Sequence, residues 1–345
     1  MSITSLKKLR PALSFDPELT PGARNAVRVC LNIQAHEKTT VITDVASREI
    51  ASAIEAELDA ADLEYNTYVL EDYAVRPLTD MPQVVLDDME SSQVSIFAVQ
   101  AQMNELRTRM QMTDVVNRRG IRHAHMVNIT AQIMKQGMRA DFLEVDRLSQ
   151  KVWERASVAQ VVRATTPAGT NIVAQMNPAY RWVKTSGIIS TKKWGNLPGG
   201  ETFTTPGEVN GTFVIDGVVG DYLCAKYGSL KDEPLTIKVA QNRLTAAHSA
   251  NKELENEFWN YCHTDENSDR VGEFAIGTNI ACKDVIGNIL QDEKIPGIHI
   301  AFGNPYGFHT GADWYSATHI DVVGREFSIW IDERQIMDAG RFLID

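Results

Sequence analysis

The sequence predicts two domains: an α/β N-terminal domain with a doubly wound, mostly parallel sheet over residues 1–160, and an α+β C-terminal domain over 161–345. The first half alternates strand-like and helix-like segments, which implies a parallel sheet. Near residue 157 the pattern shifts, and glycine and proline begin to punctuate short β-type runs. The 345 residues, 43% hydrophobic and 23% charged, suffice for two ordinary cores.

In order, the chain predicts a helix over 21–34, with Thr20 as N-cap and Pro21 at its first position. The β-branched run 39–43 reads as a buried strand. Asp44 then caps a helix whose Ile50, Ile54 and Leu58 recur at i+4. Strands follow over 65–70 and 93–99, then a helix over 103–119 ended by Gly120, a strand over 124–129 and a helix over 142–155. Short strands are expected over 157–165, 169–174, 211–219, 235–240, 297–302, 318–323 and 326–332. Helices are expected over 245–261 and 281–290.

Composition excludes several classes of function. The net charge of −11, from 34 basic and 45 acidic residues, argues against nucleic acid or an anionic membrane as partner. Cys30, Cys224, Cys262 and Cys282 form no CxxC pair, so reduced thiols in a cytoplasmic protein are expected. No apolar h-region and no run of roughly 18 to 20 apolar residues occurs. Neither GxGxxG nor GxxxxGK[ST] is present, so the doubly wound domain is not expected to bind a dinucleotide. His123 and His125 share a strand face without a nearby carboxylate and read as structural.

The chemistry concentrates in 296–323, which holds His299, His309 and His319 among the chain's eight histidines. His319 and Asp321 stand at i and i+2 of a strand-like run and so point to one face, where they can grip one ion. Tyr306 lies in the Gly/Asn/Pro-rich loop between. Upstream, Glu201 follows two glycines, Glu273 follows Gly272, and Asp292-Glu293-Lys294 precedes His299. Carboxylates and imidazoles without cysteine suit divalent zinc, cobalt or manganese in a catalytic site. Two ions need a bridging carboxylate, which accounts for an acidic majority. Such a pair polarises a carbonyl and acidifies bound water, chemistry that fits hydrolysis of an amide.

The blocks LPGGETFTTP, GEFAIGTN, HIAFGNPY and THID resemble the signature segments of the aminopeptidase T / aminopeptidase S metallopeptidases, in the family's order from about 195 to 323. The resemblance implies a typically homodimeric enzyme that removes N-terminal residues from peptides with two divalent ions. It implies metal ligands at Glu201, Glu273, Glu293, His299, His319 and Asp321, with Glu273 bridging and Tyr306 catalytic. Glu293 lies one residue further from His299 than the family spacing.

The same superfamily includes iron-dependent 2,5-dihydroxypyridine dioxygenases, which bind one Fe(II) through two histidines and an aspartate. In them the Glu273 position resembles a histidine, and the counterparts of Glu201 and His299 are lost. The chain therefore follows the peptidase pattern at these positions. His263, ten residues before Glu273, is the alternative iron ligand. Trp194, Phe308, Trp314 and Tyr315 are candidates for a pocket that takes a specialised amide. The expectation is a metallo-aminopeptidase, with the dioxygenase, or a catabolic amide hydrolase, as alternative.

Overall fold

The structure is a computed structural model that describes residues 14–191 and 194–344. It divides into two compact units, one running to Leu143 and taking in Gly187–Gly199, the other made of Glu144–Ser186 and the chain from Gly200. A single boundary at 160 does not describe this division, because the chain leaves the first unit and returns to it before settling in the second.

In the first unit, β1 (Lys38–Thr43), β2 (Glu64–Val69), β3 (Val94–Val99) and β4 (Arg122–Val127) form a parallel sheet in the order β2-β1-β3-β4, with Gly195–Asn196 added beside β4. All six residues of β3 are buried, as expected of a central strand covered on both faces. The connections include α1 (Arg48–Ala60), α2 (Gln83–Glu90) and α3 (Leu106–Arg119), the last ending on Gly120 at φ 64°. This is the expected doubly wound, mostly parallel α/β arrangement.

Such a sheet usually receives ligands where its strand order reverses, here between the C-terminal ends of β1 and β3. That place is filled from within. Arg76 pairs with Asp44 at 2.6 Å and with Glu105 at 2.5 Å, and donates to the Gln100 carbonyl at 2.6 Å. The remaining carboxylate capacity is taken by the backbone N–H groups of Ser47, Gln100 and Leu78. Beside β4, His123 accepts from or donates to Ser95 at 2.8 Å and meets His125 at 3.2 Å, and both rings contact Trp194. Burial lowers the pKa of both, His125 to about 3.

The second unit is α+β, with an eight-stranded antiparallel sheet spanning 161–249 and 328–342 and a second sheet of five strands. In chain order the five are β5 (Val183–Thr185), β6 (Glu201–Thr204), β7 (Val271–Gly277), β8 (Gly297–Gly303) and β9 (His319–Val323), antiparallel throughout in the spatial order β9-β8-β7-β6-β5. Phe274, Ile276, Ile298, Ile300, Phe302, Ile320 and Val322 alternate along β7, β8 and β9 and join one buried core with Ile172, Phe213, Ile237 and Ile329 of the larger sheet.

The expected helix over 245–261 is shorter. Arg243–Ser249 is a strand, paired with Leu235–Ala240 across a turn in which Gln241 and Asn242 both take positive φ, and the helix Lys252–Tyr261 starts from an Asn251 side-chain cap. The tight hairpin overrides the helix preference of the alanines. Of the expected helix over 281–290, only the turn Ile289–Asp292 forms, and half of it lies beyond that range. The four cysteines are buried and free. No helix among the described residues is long and apolar enough to cross a membrane.

Candidate metal centre

The register of the five-stranded sheet assembles the centre. Glu273 on β7, Ala301 on β8 and Asp321 on β9 lie in one row across three strands, so their side chains emerge on one face. His299 is two residues before Ala301 and His319 two before Asp321, which puts both imidazoles on that face. Glu201 opens β6 opposite Gly277, four residues along from Glu273, and joins them. Between the donors, β7 and β8 carry Ala275, Gly277 and Ala301 on this face, with Phe203 opposite Ala275 and Val323 opposite His299 at its sides. The opposite face of the same strands is the phenylalanine and isoleucine core. Small residues at these central positions leave the carboxylates and imidazoles free to converge above them.

They do converge. His299 Nε2 lies 3.4 Å from Glu273 Oε1 and 3.7 Å from Glu201 Oε2, and His319 Nε2 lies 3.7 Å from Glu273 Oε2 and 3.4 Å from Asp321 Oδ1. Donor atoms of Glu201, Glu273 and His299 fall within 4.8 Å of one another, and so do those of Glu293, His299 and Asp321. An ion at about 2.1 Å from tetrahedral donors holds them roughly 3.4 Å apart, so the spacing fits a divalent metal. Glu201 Oε2 is buried with no hydrogen-bond partner, an uncommitted acceptor that a cation satisfies. His319 Nδ1 donates to the Asn304 carbonyl at 2.9 Å, which fixes the ring and turns Nε2 toward the cluster.

The electrostatics express the same demand for positive charge. Burial opposes protonation of His319, yet Asp321 and Glu273 raise its pKa to about 10. Against burial, Glu273, Glu201 and Asp321 raise His299 to about 9. Burial, with the charges of Asp321 and Glu201, pushes Glu293 up to about 8 despite the adjacent ammonium of Lys294. Asp321 is held down at about 2, because His319 and His299 outweigh its burial.

Lys294 is the residue that sequence reasoning missed. Its side chain is 2% exposed, and its ammonium lies 2.7 Å from Glu201 Oε1 and 2.5 Å from Glu293 Oε1. These carboxylates keep it charged despite its burial. It stands five residues before His299, the family spacing from which Glu293 departs. Thr185 on β5 also donates to Glu201 Oε1, at 2.9 Å. Asp292, by contrast, accepts three backbone N–H groups, from Ile286, Gly287 and Asn288, and clamps its own loop.

Tyr306 adopts φ 47° and ψ 50°, its N–H donating to Asn304 Oδ1, and its ring lies 4.4 Å from that of His319. Although the residue is 43% exposed, desolvation on the side facing the cluster and the charges of Asp321, Glu273 and Glu293 raise its pKa above the phenol range, so the hydroxyl keeps its proton. An open pocket of about 520 Å³ adjoins it, lined by Tyr306, Phe308, His309, Trp314 and Tyr315 among others. Trp194 is not there; it packs on His123 and His125 in the first unit. His263 is exposed, stacked on Trp259 and bonded to its carbonyl at 2.7 Å, outside the donor cluster.

The model of the NicX family, 2,5-dihydroxypyridine 5,6-dioxygenase, matches residues 22–344. The chain belongs to this family. Among solved structures, the 2,5-dihydroxypyridine dioxygenase from Pseudomonas putida KT2440 is similar with a TM-score of 0.67 and 15% identity, over 95% of this chain and 97% of that one. Wild-type AmpT from Thermus thermophilus is similar with a TM-score of 0.70 and 14% identity, over 96% of this chain and all of that one. At these identities the likeness is one of fold. No curated protein matches the chain. The family match falls on the dioxygenase that the sequence offers as the alternative, the likeness to AmpT shows a shared fold, and the expectation of a peptidase is left to chemistry.

Proposed function

We propose that this NicX-family chain is a metal-dependent hydrolase of amide bonds, an aminopeptidase in the first instance. Glu201, Glu273, Glu293, His299, His319 and Asp321 form the cluster from which the ligands of a divalent metal are drawn, with zinc, cobalt or manganese suited to its carboxylates and imidazoles. The observation that carries the reading is the composition of the cluster, four carboxylates with two imidazoles over a floor of Ala275, Gly277 and Ala301. When bound, the metal polarises a carbonyl and acidifies water.

The chain's own residues do the rest. Tyr306, kept protonated and seated against His319, donates a hydrogen bond to the oxyanion that forms at the attacked carbonyl. Glu273, within reach of both imidazoles, serves as general base. The aromatic pocket beside Tyr306 receives an apolar group of the substrate.

Oxidative opening of a dihydroxylated pyridine ring is the second reading, favoured by the match to the dioxygenase family model. His299, His319 and one carboxylate also offer the two-imidazole, one-carboxylate set that suits Fe(II). One experiment separates the two. Metal-free protein is reconstituted anaerobically with zinc, cobalt, manganese or iron, then assayed for cleavage of aminoacyl p-nitroanilides and for oxygen uptake on 2,5-dihydroxypyridine. Cleavage without oxygen uptake is expected. Iron-dependent oxygen uptake with no amide cleavage would overturn the hydrolase in favour of ring opening.

A further inference from the structure

We propose that the ammonium of Lys294 takes the place of a second metal ion, so that the centre accepts one divalent cation where the sequence resemblance implies two. The inference rests on reading the cluster as a metal centre and deepens that reading. Lys294 Nζ lies between Glu201 and Glu293, 2.7 and 2.5 Å from one oxygen of each, where a bridging cation would stand. Two of its three N–H donors are thereby committed, and the side chain is 2% exposed. It is a fixed internal charge, with no route to a substrate.

Its position is imposed by the backbone. A Cβ on Gly277 would meet the Ile295 carbonyl oxygen at 2.0 Å, so residues 294 and 295 lie directly on the sheet beside the donors. The Lys294 carbonyl accepts the Asn279 N–H at 3.0 Å, which pins the same segment. Glu201 is divided by this arrangement. Its Oε1 is taken by Lys294 and Thr185, while its Oε2 is unpartnered and faces His299. One oxygen is therefore left for metal, and Glu201 cannot bridge two ions while holding the lysine.

The two donor groups also share His299, and a single imidazole nitrogen holds one ion. Glu201, Glu273 and His299 form the better-buried of the two groups, and they surround the unpartnered oxygen. Glu293 then serves as the second anchor of the lysine, a positioning role in place of the ligand role expected from the sequence.

The test counts ions. Wild-type protein, stripped with chelator, is titrated with Zn²⁺ and with Mn²⁺ by calorimetry, and bound metal is measured by mass spectrometry after gel filtration. One equivalent per chain is expected. K294E exchanges the internal cation for a further carboxylate and is expected to bind two equivalents, with its Tm rising further than that of wild type on addition of metal. Two equivalents in wild type, or only one in a K294E chain whose circular dichroism shows it folded, would overturn the proposal. If K294E does not fold, the wild-type count still decides. A folded wild-type chain that binds no divalent ion fails differently, because it removes the metal centre itself.

Discussion

Each unit buries a cation among carboxylates, and the two clusters are built to opposite ends. Around Arg76 every carboxylate oxygen of Asp44 and Glu105 accepts from the guanidinium or a backbone N–H. Around Lys294 the cation serves one oxygen of Glu201 and one of Glu293, and a surplus of acid remains, including the unpartnered Glu201 Oε2. Buried charge is common to both, so it does not mark a functional site. An unpartnered carboxylate oxygen facing imidazoles and further carboxylates does.

The comparison is broken most directly at Arg76. R76M leaves Asp44 and Glu105 buried without their cation and is expected to cost about 3–5 kcal/mol in urea unfolding. Added divalent metal should restore none of it, because three of the four oxygens stay committed to the backbone N–H groups of Ser47, Gln100 and Leu78 and only Glu105 Oε2 is released; recovery with metal would place a second centre in the first unit.

Tyr306→Phe tests the other side. It should lower kcat about 100-fold, roughly 2.7 kcal/mol of transition-state stabilisation, with metal content unchanged. Full turnover in that variant removes the tyrosine from the chemistry.

The histidines sharpen the contrast through pH. His123 and His125 are neutral and buried, with folded pKa values depressed below the unfolded value near 6.5. Below that pH the unfolded chain binds protons that the folded chain refuses, so stability declines as pH falls through 6.5 toward 3. At pH 5 the loss is about 2 kcal/mol per histidine. H125Q should flatten the profile of urea midpoints between pH 7.5 and 5, and an unchanged slope would mean that His125 is not a source of it.

The smallest effect belongs on the surface. Lys226, paired with Glu253 and Glu257 in solvent, should shift Tm by no more than about a degree or two when changed to alanine.

Much of this was legible in the chain. The β-branched run 39–43, the i+4 spacing of Ile50, Ile54 and Leu58, and the i, i+2 pairing of His319 with Asp321 are local patterns, and local patterns fixed those elements. The hairpin at Gln241-Asn242 is hidden because it lacks the glycine that normally signals such a turn, and Thr-Ala-Ala-His-Ser from residue 245 reads as the start of a helix. The return of Gly187–Gly199 to the first unit has no local signature at all. Lys294 was passed over because Asp-Glu-Lys looks like a solvated charge run. Its burial is decided by Gly277, far from it in sequence but beneath it in the sheet.

The division of labour between the two faces of the five-stranded sheet has an evolutionary consequence. Odd positions of β7, β8 and β9 (Glu273, His299, Asp321) hold the reactive groups and even positions (Phe274, Ile300, Ile320) hold the core. A substitution among the former changes the donor set without opening a hole among the latter. Such a sheet can change its chemistry while its stability stays put, and the same fold is found in a 2,5-dihydroxypyridine dioxygenase and in AmpT.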